Sequence, residues 1–146
     1  MVCLGNICRS PLAEGILKNM LEGPQTKWLV DSAGTGSWHI GEPPHQGSQK
    51  VAKKNGIDIS RQRARQFSIQ DFESFDLILA MDSENYNDII ALAKNEEEKK
   101  KVHLILNYSH PGMNMAVPDP YFTGGFDEVY LLISNACRQL LNNLKV

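Results

Sequence analysis

Long hydrophobic runs are missing from this chain. No stretch approaches the ~20 apolar residues that a membrane-crossing helix needs, and no charged start followed by an apolar stretch marks a secretory leader. Cysteine is scarce: the three residues are an odd number, which argues against a secreted disulfide framework and suits a reducing compartment. A cytoplasmic protein is therefore expected. Charge of one sign is lacking too. Fifteen Lys and Arg against seventeen Asp and Glu leave a formal −2, so nothing draws the chain to nucleic acid or to an anionic membrane. His39, His45, His103 and His110 have no ligand spacing, and no paired short-spaced Cys or His exists. Neither a metal nor a cofactor is expected. With no repeat, linker or low-complexity tract, residues 1–146 read as one domain.

What is present is concentrated near the start, in Cys3-Leu4-Gly5-Asn6-Ile7-Cys8-Arg9-Ser10-Pro11. A cysteine and an arginine bracketing such a loop can turn the intervening amides inward, and a nest of amides opening into a helix N-terminus binds a phosphate-sized anion. Arg9 supplies a bidentate fork matched to phosphate oxygens. Cys3 lies on the floor, where the positive field favours its thiolate. Ser10 followed by Pro11 reads as an N-cap and first helical residue. Leu12, Ala13, Ile16, Leu17, Met20 and Leu21 then form an apolar stripe at helical spacing. Gly5 lets backbone approach the anion, and Asn6 tolerates a left-handed conformation. Competing readings of Cys3 and Cys8 are a disulfide, a metal pair or two buried thiols. The surrounding Gly5, Asn6 and Ser10-Pro11 favour the phosphate site.

Further along come Asp31-Ser32-Ala33-Gly34, Trp38, Ala64-Arg65-Gln66, Phe75-Asp76 through Met81-Asp82, and Asp119-Pro120-Tyr121. Together with the first motif, and in this order, they resemble the low-molecular-weight protein tyrosine phosphatase family over nearly the whole chain. The resemblance implies a phosphotyrosine-containing protein or small aryl phosphate as substrate, inorganic phosphate as product, and a cysteinyl-phosphate intermediate on Cys3. Arg9 and the amides of Leu4, Gly5, Asn6, Ile7 and Cys8 would hold the phosphoryl oxygens. Asp119 would protonate the departing phenolate, then deprotonate the attacking water. Ser10 would hydrogen-bond the Cys3 sulfur, its plainer role being the N-cap. Trp38 and Tyr121 would wall a slot for the aromatic ring, with Phe122 where the family often has a second tyrosine. Asn6 and Ser32 resemble a supporting hydrogen-bond network, in which Gln62 stands where a histidine is common. Asp82 would either steady Arg9 or cap the helix from Ser83. Cys8 would be a reversible disulfide partner for Cys3 or a small residue in a tight loop.

The expected fold is α/β, a central four-stranded parallel sheet flanked by helices, with the phosphate-binding loop at the end of the first strand. Strands are expected at Trp28–Asp31, Asp76–Ala80 and Val102–Leu106. Helices are expected at Ser48–Lys54, ended by Asn55-Gly56, at Ser83–Ala93, and from Phe126 along Val129, Ile133, Cys137, Leu140, Leu141 and Leu144. Only Met1 and Val2 precede Cys3, so the first strand reads as truncated. Either the true start lies upstream, or another segment, from this chain or a second subunit, fills the place.

Glu96 to Lys101 reads as a solvated helix end, Arg61, Arg63 and Arg65 as surface charges, and Cys137 as an inert core thiol. Three rival functions have definite requirements. A thiol-dependent arsenate reductase needs distal cysteines to relay a disulfide. A protein-arginine phosphatase tends to carry threonine where Ile7 stands. A phosphate-binding module without catalysis would be expected to lose Cys3 or Asp119.

Overall fold

The strands of this protein are only two or three residues long, and their order is what builds the site. The computed structural model describes residues 1–21 and 27–144. β1 (Val2–Cys3), β2 (Ala33–Gly34), β3 (Ile78–Ala80) and β4 (Val102–Leu104) make one parallel four-stranded sheet in the order β2-β1-β3-β4. Side chains alternate across it. Val2, Ile78 and Ala80 enter a core with Phe72 and Ile89, while Cys3 and Leu79 enter the opposite one with Leu12, Ile16 and Ile133. Helices α1 (Arg9–Met20), α2 (Gln46–Lys54) and α6 (Phe126–Asn143) cover the second face. Helices α3 (Asp71–Ser74) and α4 (Ser83–Leu92) cover the first, and the short α5 (Glu96–Lys99) precedes β4.

The central place beside β3 is filled by residues 1–3 themselves. Val2 pairs with Ala33 on one side and Ala80 on the other. The Met1 carbonyl accepts from the Ala33 N–H at 3.0 Å and the Val2 carbonyl from the Met81 N–H at 3.1 Å. This register also moves β2 away from its expected position. The ladder beside β1 starts at Ala33, so among the described residues Trp28–Asp31 pairs with no strand, only Asp31 O accepting from Met1 N at 3.1 Å, and Trp28 and Leu29 lie exposed. Residues 22–26 fall outside the described chain.

Other boundaries shift for local reasons. Helix α2 begins two residues early because the His45 ring accepts from the Gly47 N–H at 2.9 Å and caps it; Gly56 at φ +78° supplies the expected left-handed exit. Beyond β4 the chain tightens into a 3-10 turn at Ile105–Asn107 instead of continuing as strand. Leu144 sits just past α6 and is half exposed, so it does not extend the apolar stripe. The acidic run is more than a solvated end: Glu98 is buried, with its carboxylate accepting from Lys94 N–H while Asn95 caps Glu98 N–H, both at 2.9 Å.

Candidate active site

The loop from Cys3 to Arg9 leaves the carboxyl end of the central strand, and its carbonyls are turned outward. Cys3 O accepts from Thr35 N–H at 2.9 Å, Leu4 O from Gly36 N–H at 2.8 Å, Ile7 O from His45 N–H at 2.7 Å, and Cys8 O from the Ser48 hydroxyl at 2.9 Å. All peptides in the described chain are trans. The N–H that follows each outward carbonyl therefore points the other way, which turns the amides of Leu4, Gly5, Cys8 and Arg9 inward. Asn6 supplies the expected left-handed residue, φ 56°. Gly34 presses on the loop so closely that a Cβ there would lie 2.8 Å from Leu4 O and 3.0 Å from Asn6 N.

Helix α1 begins directly on this loop. Its N-cap is Cys8, with no side-chain cap, so Ser10 is the second helical residue and Pro11 the third. The expected Ser10 N-cap is thereby corrected. A capping side chain would occupy amides that the loop leaves open, and the Ser10 hydroxyl is engaged elsewhere, 3.0 Å from Cys3 Sγ. The sulfur-to-hydroxyl contact expected of Ser10 is present.

Arg9 is almost fully buried. Its Nη1 donates to Asp82 Oδ2 at 2.7 Å and to Val117 O at 3.0 Å, and its Nη2 lies 3.6 Å from Asp119 Oδ2. Burial works against the guanidinium charge, but the charges of Cys3, Asp82 and Asp119 outweigh it and hold the pKa above its ordinary value. Both readings of Asp82 are present at once: Oδ2 holds Arg9 while Oδ1 accepts from Asn85 N–H at 2.8 Å and caps α4. Cys8 has its thiol pushed up to about 12, first by burial and then by the charge of Cys3. At neutral pH Cys8 is therefore a protonated thiol.

Cys3, Arg9 and Asp119 share a cleft of about 260 Å³ with Leu4, Gly5, Ile7, Cys8, Trp38, Tyr121 and Phe122. Trp38 is 70% exposed and Phe122 91%, so these rings are rim residues; the core alternative for Trp38 is ruled out. Tyr121 stands edge-on to Phe122, centroids 4.6 Å apart. Asp119 is held by its own loop, Oδ1 accepting from Tyr121 N–H at 3.1 Å. A larger cavity of about 420 Å³, between Trp28–Asp31 and Ser74–Leu77, lies at the opposite end of the sheet and is lined by no cysteine.

The family model for low molecular weight phosphotyrosine protein phosphatases matches residues 1–146. The chain belongs to this family. It is 45% identical to the low molecular weight protein-tyrosine-phosphatase YfkJ of Bacillus subtilis, over 99% of this chain and 93% of that one. The crystal structure of a protein tyrosine phosphatase from Entamoeba histolytica superimposes with a TM-score of 0.90 at 36% identity, covering 99% of this chain and 94% of the other. A structure described as DARP, drosophila arginine phosphatase, does so equally well, TM-score 0.90 and 36% identity over 99% and 96%. The protein is thus a phosphatase on the family's four-stranded scaffold.

Within this low molecular weight phosphatase, Asn6 and Ser32 form the expected support: Asn6 Nδ2 donates to Ser32 Oγ at 3.0 Å and to Ser10 Oγ at 2.8 Å. Gln62 does not join them. Its Nε2 donates to Pro11 O at 3.0 Å and its Oε1 has no partner among the described residues. Arg65 is no free surface charge. Its main-chain N–H donates to Asn6 Oδ1 at 3.0 Å, and its guanidinium joins Asp31 and Asp71, each at 3.1 Å. His39, which has no ligand spacing in the sequence, lines the cleft, with a Cβ on Gly5 falling 3.0 Å from its ring. The Ala64-Arg65-Gln66 motif carried a signal for Arg65. Nothing local carried one for His39, which only the fold brings to the loop. Among the described residues there is no cluster of metal-binding side chains, and no helix is long and apolar enough to cross a membrane.

Proposed function

We propose that the protein hydrolyses phosphotyrosine in proteins, and small aryl phosphates, through two transfers at phosphorus. In the first, Cys3 Sγ attacks phosphorus, an S–P bond forms, and the P–O bond to the phenol breaks as Asp119 gives its proton to the leaving oxygen. In the second, Asp119 takes a proton from water, the water oxygen bonds to phosphorus, and the S–P bond breaks. Inorganic phosphate leaves and Cys3 returns as thiolate. The inward amides of the 3–9 loop and the Arg9 fork stabilise the equatorial oxygens throughout, and α1 directs its positive end at them.

The outward-bonded carbonyls of Cys3, Leu4, Ile7 and Cys8 carry this reading, because they commit the following amides to an anion. The aromatic rim supports a phenolic substrate: a phosphoserine stem is too short to seat phosphate at Cys3 while filling a slot between Trp38 and Tyr121. Ile7, apolar and at the cleft wall, favours phosphotyrosine over phosphoarginine, whose polar N–P link it has nothing to bond. Cys137 is fully buried between α6 and the sheet, so it cannot relay a disulfide for arsenate reduction. The free thiol on which the chemistry depends suits the reducing cytoplasm.

The test is a panel of p-nitrophenyl phosphate with phosphotyrosine, phosphoserine and phosphoarginine peptides, run on the wild type and Cys3→Ser, with arsenate plus thioredoxin as contrast. Turnover of aryl phosphate and phosphotyrosine alone, abolished by Cys3→Ser while phosphate still binds, is expected. Preference for phosphoarginine would overturn the substrate reading, and a turning-over Cys3→Ser the nucleophile.

A further inference from the structure

Helix α1 buries a carboxylate that the reaction above does not use. Glu14 is 4% exposed, and both its oxygens are engaged: Oε1 accepts from Ser32 Oγ and Oε2 from Lys18 Nζ, each at 2.7 Å. From Ser32 a polar chain runs inward through Asn6 Nδ2 (3.0 Å) and Ser10 Oγ (2.8 Å) to Cys3 Sγ (3.0 Å). A hydroxyl can point either way, so the polarity of such a chain is set by the members that only donate or only accept.

Two such members close this one. The Arg65 main-chain N–H only donates, and it meets Asn6 Oδ1 at 3.0 Å; the amide is therefore turned with its NH₂ toward the two serines. The Glu14 carboxylate only accepts, so the single Ser32 proton goes to it and Ser32 Oγ receives from Asn6. The second Asn6 proton goes to Ser10 Oγ. The Ser10 proton is then left for the sulfur at 3.0 Å, its other acceptor, Ala33 O, being at 3.4 Å. We propose that Glu14, paired with Lys18, is a positioning residue for the nucleophile: by taking the Ser32 proton it leaves Ser32 Oγ to anchor the Asn6 amide, which the Arg65 N–H turns toward Ser10 so that the Ser10 hydroxyl donates to the Cys3 thiolate. Hydrogen-bond chains of one polarity reinforce along their length, and donation to a charged sulfur is the strong kind. The other charged groups around Glu14 are the Met1 ammonium at the head of β1, which Glu14 and Asp31 both attract, and Arg65 beyond it. The inference rests on Cys3 as nucleophile, and its test separates the two.

Glu14→Gln keeps the shape and breaks the rule. The Lys18 ammonium only donates, so it draws the amide oxygen and turns the NH₂ onto Ser32. Ser32 Oγ then receives from both amides while its own proton has no acceptor. The hydroxyl has to turn to find one, which weakens its bond from Asn6 and loosens the amide that holds Ser10. The midpoint of Cys3 alkylation by iodoacetamide, followed against pH by peptide mapping, is expected to rise by about half a unit to one unit. kcat should fall by about threefold to tenfold with KM little changed, the worth of one weakened hydrogen bond. The sign is diagnostic, because removing a negative charge would by itself lower the midpoint. Adding Lys18→Met to Glu14→Gln frees the amide to offer its oxygen to Ser32, and the midpoint should return toward the wild type. Should Glu14→Gln not fold, Ser32→Ala removes the same link with no change of charge and is expected to raise the midpoint. A midpoint that falls or stays in Glu14→Gln, or that does not recover in the double variant, overturns the proposal. An active Cys3→Ser would instead overturn the nucleophile assignment.

Discussion

One carboxylate of Asp82 serves two structures at once, with Oδ2 2.7 Å from Arg9 Nη1 and Oδ1 2.8 Å from the Asn85 amide. The first bond orients the buried guanidinium beneath the cleft, and the second starts α4. The two roles separate by substitution. Asp82→Ser retains a cap and loses the arginine contact; Asp82→Ala loses both. The alanine variant should melt lower, the cap contributing about 0.5–2 kcal/mol, while both lose about tenfold or more in kcat/KM because Arg9 loses its nearest carboxylate and keeps only Val117 O and the longer contact with Asp119. Equal melting of the two variants would show that the cap contributes nothing.

Asp119 stands at the open side of the same guanidinium, 3.6 Å away. Asp119→Asn is expected to lower turnover by about 10²- to 10⁴-fold with an alkyl-substituted phenyl phosphate. The loss should shrink as the phenol becomes more acidic, since an acidic phenol departs without a proton. A uniform loss across a leaving-group series would assign Asp119 to loop structure.

Gly34 is a point at which the sheet touches the loop of residues 3–9. Gly34→Ala would place a Cβ 2.8 Å from Leu4 O and 3.0 Å from Asn6 N, both of them backbone atoms. Neither can rotate away. The expected outcome is a loss of about 1–3 kcal/mol in stability, with weaker inhibition by inorganic phosphate because the amides are displaced. A variant with the wild-type melt and phosphate inhibition would show that the loop has slack.

Cys137 gives a stability signature at high pH. Burial pushes its thiol from an ordinary 9.0 up to about 12, so the unfolded chain releases this proton at lower pH than the folded one. The contribution is complete below pH 9 and is lost as pH rises from there toward about 12. Urea midpoints should hold between pH 7 and 9 and then decline, and Cys137→Ala should decline less steeply from a lower starting point. Identical slopes would place the alkaline loss on other groups, the similarly raised Cys8 among them.

Much of the site was legible in the sequence because its parts lie close together along the chain. Residues 3–11 hold the proposed nucleophile, the amides, the arginine and the helix start in one run, and backbone geometry over so short a span follows from residue type: Asn6 takes the left-handed position, and the α1 stripe of Leu12, Ala13, Ile16 and Leu17 is buried as its spacing requires. Helix α4 and the C-terminal helix were equally readable from capping and period. Structure and sequence pattern part where a partner distant in sequence decides. Trp28–Asp31 is as apolar as a strand, but the ladder of β1 begins opposite Ala33. Ser10 has the residue type of an N-cap, but Asn6 and Cys3 compete for its hydroxyl and take it.

The sequence by itself supplied the groups for the proposed chemistry: a thiol, a guanidinium fork and a carboxylate in a family's order. Tertiary structure decided which polar groups serve that chemistry. His39 reaches the cleft, Arg65 locks the Asn6 amide, Gln62 turns away to Pro11, and Glu14 connects to Cys3 through Ser32, Asn6 and Ser10. Residue type limits what a side chain can donate or accept. Which partner it meets depends on the short strands that bring residues 1–3, 33–34 and 78–80 side by side, and that pairing is long-range.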